Sequence, residues 1–236
     1  MDTLPVDIWS DVVCPRCYVG KRRLEKALER FAHRDAVRIT WHAFELDPSA
    51  PRSHEGQGSY AARLARKYGK TVAAAQAMID QMVQTAAAEG LAFDFTIARP
   101  GNTFDAHRLL AMARARGLQN ELKERLLRAT FTEGQAIGER DVLARLAAEV
   151  GLDEGAARAV LESDAHGGEV REEEAQARKL GVTGVPFFVV GRRYAVGGAQ
   201  APEALLRVLE RAWSEGLVEA IEEAPAPACG PDGCVV

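Results

Sequence analysis

Asp11-Val12-Val13-Cys14-Pro15-Arg16-Cys17 is the stretch on which the reading of this chain turns. It follows Val6-Asp7-Ile8-Trp9-Ser10, whose alternation predicts a β-strand, and it precedes Tyr18 to Ala32, which predicts a helix. Two cysteines three apart at a strand-to-helix junction form a C-x-x-C in a redox setting. At a helix start the first backbone N–H groups lack intrahelical partners and the macrodipole is positive, so a thiolate at Cys14 is stabilised there. Pro15 fits the first helical turn, where its missing N–H costs nothing. Arg16 adds a permanent cation. Together these predict a Cys14 thiol lowered from about 8.5 towards the range of roughly 3.5–7.5 found in such settings. Cys17 lies one turn on, on the same helix face. Cys14 is thus the expected attacking thiolate and Cys17 the resolving thiol. C-x-x-C also serves as half of a zinc site, but metal knuckles seldom sit where a strand hands over to a helix.

Working outward, Pro5 stands where a proline is tolerated, at the start of the first strand. The following helix sets Leu24, Ala27, Leu28 and Phe31 on one face. Val37, Ile39 and Trp41 alternate with Arg38, Thr40 and His42, predicting a second strand through about Leu46. Pro48 to Gly58 reads as a loop. This β-α-β order implies parallel strands and a right-handed crossover. From about Ser59 to Leu180 the pattern is helical. Tyr60, Leu64 and Tyr68 fall four apart, and Met78, Ile79, Met82 and Val83 form i, i+4 pairs. Gly90 is a plausible helix stop. Asn102 reads as an N-cap, with Asp105 completing a variant capping box. Leu118, Leu122 and Leu126 mark one further helix, and Val142, Leu146 and Val150 another. These stripes are expected to be contacts between helices. After Gly181, Val185 to Val190 and Tyr194 to Val196 predict a hairpin turning at Gly191-Arg192. Pro202 opens a last helix carrying Leu205, Leu209 and Trp213.

Composition narrows the function. The charge balance of 30 basic against 34 acidic side chains, net −4, with the basic residues dispersed, gives no support for nucleic-acid binding. No run of 18 apolar residues predicts a membrane span. Met1-Asp2-Thr3-Leu4-Pro5 lacks the basic and apolar regions of a signal peptide, so a cytoplasmic location is expected. Four cysteines in that compartment are expected to be catalytic or metal-binding rather than structural.

The end of the chain differs in character. Glu222 to Ala228 is acidic and rich in Pro and Ala, the composition of a flexible linker. It leads to Cys229-Gly230-Pro231-Asp232-Gly233-Cys234, two cysteines that can close a small disulfide. About 20 residues separate Trp213 from Cys234, at roughly 3.3 Å each enough to cross a small domain. A tethered dithiol at Cys229 and Cys234 would exchange with the Cys14–Cys17 disulfide as an intramolecular relay. An incidental tail pair and a four-cysteine metal site are the competing readings.

The order β-α-β, helical block, β-hairpin, α, with Cys14-Pro15-Arg16-Cys17 opening the first helix, resembles the thioredoxin fold. It resembles its DsbA-type branch in particular, where a helical domain is inserted between the two halves. Gly181-Val182-Thr183-Gly184-Val185-Pro186 strengthens the likeness. The resemblance implies that Val185-Pro186 is cis and lies beside the two cysteines, leaving the Val185 backbone to pair with an extended substrate. Within the branch, the chain is most similar to FrnE-like proteins and their relatives, the 2-hydroxychromene-2-carboxylate isomerases and kappa-class glutathione transferases. The likeness is carried by Ser10-Asp11, Phe44-Glu45-Leu46-Asp47-Pro48, Asn102-Thr103, His107-Arg108 and Gly198-Ala199-Gln200. The isomerase and transferase relatives typically have serine where this chain has Cys14, so two cysteines point to thiol chemistry. FrnE-like proteins usually have an aromatic residue where this chain has Arg16.

The expected architecture is α/β. A thioredoxin-like domain spans residues 1–47 and 181–220, a helical insertion residues 48–180, and a tail residues 221–236. The expected activity is that of a cytoplasmic thiol–disulfide oxidoreductase or protein disulfide isomerase with a role in repairing oxidised proteins. Its catalytic pair is Cys14 and Cys17, with Cys229 and Cys234 as an auxiliary pair. Substrate is expected along Val185 and Pro186. Pro15, Arg16, Asp11 and Glu45 are candidates for tuning the thiols, Asp11 and Glu45 as proton acceptors near Cys17. The expected partners are proteins carrying disulfides or oxidised thiols. No tightly bound cofactor or metal is expected, and glutathione or a thioredoxin-type protein would serve as reductant. The alternative is a glutathione-dependent isomerase or transferase of a small aromatic or polyketide-like substrate. A zinc-binding interaction module is a third class.

Overall fold

A computed structural model describes residues 3–53 and 56–216. The tail from 221 on, with Cys229 and Cys234, lies outside the described residues. The chain divides into two compact units at Phe44/Glu45 and again at Glu169/Val170.

The first unit holds a four-stranded sheet in the order β2-β1-β3-β4. The strands are β1 (Leu4–Ser10), β2 (Val37–Ala43), β3 (Phe187–Val190) and β4 (Tyr194–Gly197). β1 pairs parallel with β2, and antiparallel with β3, which pairs antiparallel with β4. The parallel pair is connected by helix α1 (Pro15–Arg30), as a crossover requires. The helix begins three residues earlier than the apolar pattern suggests, because Pro15 is its first residue and Cys14 its N-cap. The β3–β4 loop is Gly191, Arg192 and Arg193, and Gly191 and Arg192 have positive φ (63° and 59°).

Period-two alternation sends successive residues of each strand to opposite faces. One face presents Leu4, Val6, Ile8, Trp41, Phe188 and Val190 to Leu24, Ala27 and Phe31 of α1 and to Leu205, Leu209 and Ala212 of the last helix, Pro202–Ser214. The other face carries Trp9, Phe187 and Val189, packed with Cys14, Cys17, Ala177, Val182 and Val185.

The second unit is helical. It contains α2 (Tyr60–Tyr68), α3 (Val72–Ala87), α4 (Phe104–Arg114), α5 (Gln119–Phe131), α6 (Arg140–Glu149) and α7 (Glu154–Glu162). α8 (Gly167–Lys179) crosses the second boundary, and the Pro202–Ser214 helix is α9. Two readings of this region need correction. The N-cap of α4 is Thr103, not Asn102, and Asp105 closes no capping box. Asn102 instead ties the preceding loop down. Its side-chain amide donates to Pro48 O (3.2 Å), its backbone N–H to Pro51 O (2.9 Å), and its Oδ1 accepts from Phe104 N (3.0 Å). Asp105 pairs with three guanidinium groups, those of Arg108 (2.8 Å), Arg140 (3.0 Å) and Arg52 (3.2 Å). The expected stripes are also only partly internal: Tyr68 and Met78 are exposed, whereas Ala75, Ile79 and Ala86 are buried.

Candidate active site

The end of β1 and the start of α1 bring Cys14 and Cys17 together. Cys14 N–H donates to Asp11 O (3.3 Å) and Cys17 N–H to Cys14 O (3.0 Å), closing the turn that projects both sulfurs to one side. Both are free cysteines and both are buried; Cys14 retains 4% exposure and Cys17 none. Cys14 is therefore the sulfur nearer to an incoming group.

The turn before β3 closes over the pair. Val185-Pro186 is cis, as the family resemblance implies, and the Cys14 Sγ–H donates to Val185 O at 3.5 Å. Four contacts hold that turn and the loop beside it from within the same unit. Gly198 N–H donates to Pro186 O at 2.8 Å. Arg23 from α1 donates to Ala199 O at 2.6 Å, and the Gln200 side chain to Gly197 O at 2.7 Å, so the Gly198-Ala199-Gln200 loop is anchored on both sides. The fourth is a close approach at Gly20. A Cβ at this position would sit 2.8 Å from Pro186 Cγ and 3.4 Å from Phe188 Cζ. Gly20 lets α1 pack directly on the cis-proline, a requirement that a glycine inside a helical pattern does not announce.

The electrostatics differ from expectation. The Cys14 thiol is pushed well above its ordinary value, not below it. The hydrogen bond shared with Cys17 is the largest cause, followed by burial and the field of the Cys17 sulfur; Asp11 adds a small push in the same direction. A hydrogen bond from the Cys17 backbone N–H pulls it back, but less strongly. The helix-start effect is thus present and outweighed. Two sulfurs in contact do not both ionise readily, so the second proton stays on. Arg16 is exposed and is not among the leading causes. Pro15 is half-buried at the first position of the helix. Asp11 is fully buried behind the turn and Glu45 is buried where the second unit begins. Asp11 acts on Cys14 by disfavouring its ionised form.

Other singled-out residues serve the helical unit. Arg108 is 2% exposed; it donates to Asp105, to Ala165 O at 2.8 Å, and to the carbonyls of Val160 and Ser163. It thereby satisfies orphan carbonyls at the end of α7. His107 beside it is buried in the same helix. Among the described residues, no group of three or more His, Cys, Asp or Glu is placed to hold a metal ion. No described helix is long and apolar enough to cross a membrane.

The DSBA-like thioredoxin domain model matches residues 5–210. The chain belongs to that family. The probable DsbA oxidoreductase of Streptomyces coelicolor is 43% identical and superposes with a TM-score of 0.85 over 99% of both chains. The cytosolic disulfide reductase DsbM of Pseudomonas aeruginosa shares the fold at 21% identity, with a TM-score of 0.59 over 90% of this chain and 100% of its own. Among curated proteins, the uncharacterised YwbO of Bacillus subtilis is 29% identical over 200 residues, 84% of this chain and 92% of YwbO. The α/β thioredoxin-like architecture read from the sequence is thus the family's own, and the chain is of the thiol–disulfide oxidoreductase class.

Proposed function

We propose that the chain is a FrnE-like, cytoplasmic member of this family that reduces or isomerises protein disulfides through Cys14 and Cys17. The observation that carries the reading is the placement of Cys14, at a helix start and 3.5 Å from the carbonyl of a cis Val185-Pro186 turn. The Cys14 thiolate attacks one sulfur of a substrate disulfide. A Cys14–substrate disulfide forms, the substrate S–S bond breaks, and the departing sulfur takes up a proton. Cys17, deprotonated, then attacks Cys14; the Cys14–Cys17 disulfide forms and the second substrate sulfur leaves as a thiol. Two enzyme thiols are oxidised and one substrate disulfide is reduced. A dithiol protein or glutathione resets the pair. Cys229 and Cys234 are suited by their spacing to be an intermediate carrier in that reset.

The state of the thiol supports one direction over the other. A dithiol whose thiolate is strongly stabilised makes an oxidant, because its reduced form is favoured. Cys14 shows the reverse, a thiol pushed up by Cys17 and by burial. This supports reduction and isomerisation over net oxidation. The test is reduction of a disulfide-bonded protein by the full chain and by Cys14→Ser. Loss of turnover in the variant is expected; full retention would refute the mechanism. Activity on glutathione-dependent substrates that survives Cys17→Ser would transfer the chain to the isomerase or transferase class.

A further inference from the structure

A polar cluster lies on the same sheet face as the cysteines and is not used in the exchange chemistry. β1 and β2 pair with Trp9 beside His42, and the two rings stack with centroids 4.6 Å apart and planes 19° apart. His42 Nε2 is 2.8 Å from Asp7 Oδ1, and His42 Nδ1 is 3.2 Å from Glu173 Oε1. Glu173 of α8 also accepts twice more. Its Oε2 takes the Ala43 N–H at 2.7 Å, and its backbone carbonyl takes the Trp9 indole N–H at 3.0 Å. The far side of Trp9 meets Phe187, next to Pro186, edge-on at 6.4 Å. Trp9 is 2% exposed and shares one buried cluster with Cys14, Cys17 and Val185.

This geometry selects a protonation state. A neutral imidazole donates from one nitrogen only, whereas an imidazolium donates from both. With a carboxylate facing each nitrogen, Asp7 in hydrogen-bond geometry at Nε2 and Glu173 at ion-pair distance without that geometry at Nδ1, the charged ring is favoured over the neutral one. The charge then rests against the indole face, a cation–π arrangement. The groups acting on His42 agree. Burial pulls its imidazole down, but Asp7 from β1 and Glu173 from α8, the charged groups that face it, outweigh burial and raise it.

We propose that Asp7, His42 and Glu173 form a brace that holds the Trp9 indole against the Cys14–Cys17 pair, making His42 a positioning residue whose proton sets how readily the dithiol reacts. The inference rests on the oxidoreductase reading above. The brace ties β1, β2 and α8 to one ring, and that ring shares the buried cluster of the dithiol. When His42 loses its proton, one carboxylate contact and the cation–π contact go together, and the ring is released.

The experiment compares single-turnover reduction of a disulfide-bonded protein by the full chain, by His42→Asn and by Glu173→Gln, across pH. The wild-type-to-variant rate ratio cancels the ionisation of the cysteines, which all three share. At about pH 6, where an ordinary histidine is already charged, His42→Asn is expected to be roughly tenfold slower, the scale of a desolvated cation–π contact. The ratio is expected to fall towards one as His42 titrates in the wild type. The Trp9 indole N–H resonance of ¹⁵N-labelled protein should shift over the same interval and stay flat in His42→Asn. Glu173→Gln keeps one acceptor oxygen and removes the charge, so its His42 loses the proton at lower pH; its rate ratio should rise from that pH and return towards one where wild-type His42 titrates, and it carries the test if His42→Asn fails to fold. A ratio of one at every pH, or a deficit that does not change with pH, would overturn the brace. If Cys14→Ser abolishes the reaction while the ratio stays flat, only the brace fails. If Cys14→Ser reacts like wild type, the oxidoreductase reading fails and the brace with it.

Discussion

The two faces of the four-stranded sheet use the same backbone for different purposes. Leu4, Val6 and Ile8 of β1 point into an aliphatic core with α1 and α9. Asp7 and Trp9, between and after them, point to the face that holds His42, Glu173 and the cysteines. On the first face the stabilising term is apolar area removed from water, which tolerates similar shapes. On the second, each group has a specific polar or sulfur partner, and a change of one atom alters the chemistry. The lesson is that one period-two run specifies both a fold and the floor of a reactive site.

The faces are expected to respond differently to substitution. The largest effect is on activity at the second face. Cys14→Ser should remain folded and lose turnover, measured as reduction of a protein disulfide. On the first face, Ile8→Ala should cost about 2–5 kcal/mol of stability, read as a lower midpoint in urea, with the rate per folded molecule unchanged. If Ile8→Ala instead lowered that rate and left the midpoint alone, the division of labour between the faces would be wrong.

Gly20 lies where the two faces meet, since an added Cβ would strike Pro186 at 2.8 Å and Phe188 at 3.4 Å. Gly20→Ala is expected to cost about 1–3 kcal/mol through overpacking, offset in part by the better helix propensity of alanine. It should also lower the rate, because Pro186 must shift. A stability loss with an unaltered rate would show that the turn moves as a rigid piece.

The smallest expected effects are pH-dependent. His42 is raised in the folded protein, so its contribution to stability is complete below its unfolded value of about 6.5. It is lost as pH rises through the folded value. Urea midpoints of wild type and His42→Asn should therefore converge above neutrality. Asp105 in the helical unit behaves oppositely. Burial raises it, but Arg140, Arg108 and Arg52 outweigh burial and hold it down. Its contribution is present above its unfolded value near 3.9 and is lost as pH falls through the folded one. Asp105→Asn should therefore lower the urea midpoint at neutral and alkaline pH and converge with wild type as pH falls through the folded value of Asp105.

Much of this was legible in the residues. The alternation of β1, the handover at Cys14, the helical block and the hairpin at Gly191-Arg192 all carry local signals: period, proline and glycine placement. The family resemblance supplied the cis bond at Pro186. What escaped depends on neighbours distant in the chain. Gly20 reads as a weak helix residue until Pro186 is packed on it. Asp105 reads as half of a capping box until Arg52 and Arg140 converge on its carboxylate. His42 reads as the polar member of an alternating pair until α8 brings Glu173 to its second nitrogen. The Cys14 thiol was misjudged for a related reason. The helix-start effect is visible in sequence, whereas burial and the Cys17 contact that outweigh it are sums over the folded structure.

The most direct test of the exchange mechanism is to trap its intermediate. Cys17→Ser, reacted with a disulfide-bonded protein and quenched with acid, should accumulate a mixed disulfide that mass spectrometry locates on Cys14. Cys14→Ser should accumulate none. An adduct on Cys17 in the Cys14→Ser protein, with none on Cys14 in the Cys17→Ser protein, would contradict the assignment of the attacking sulfur.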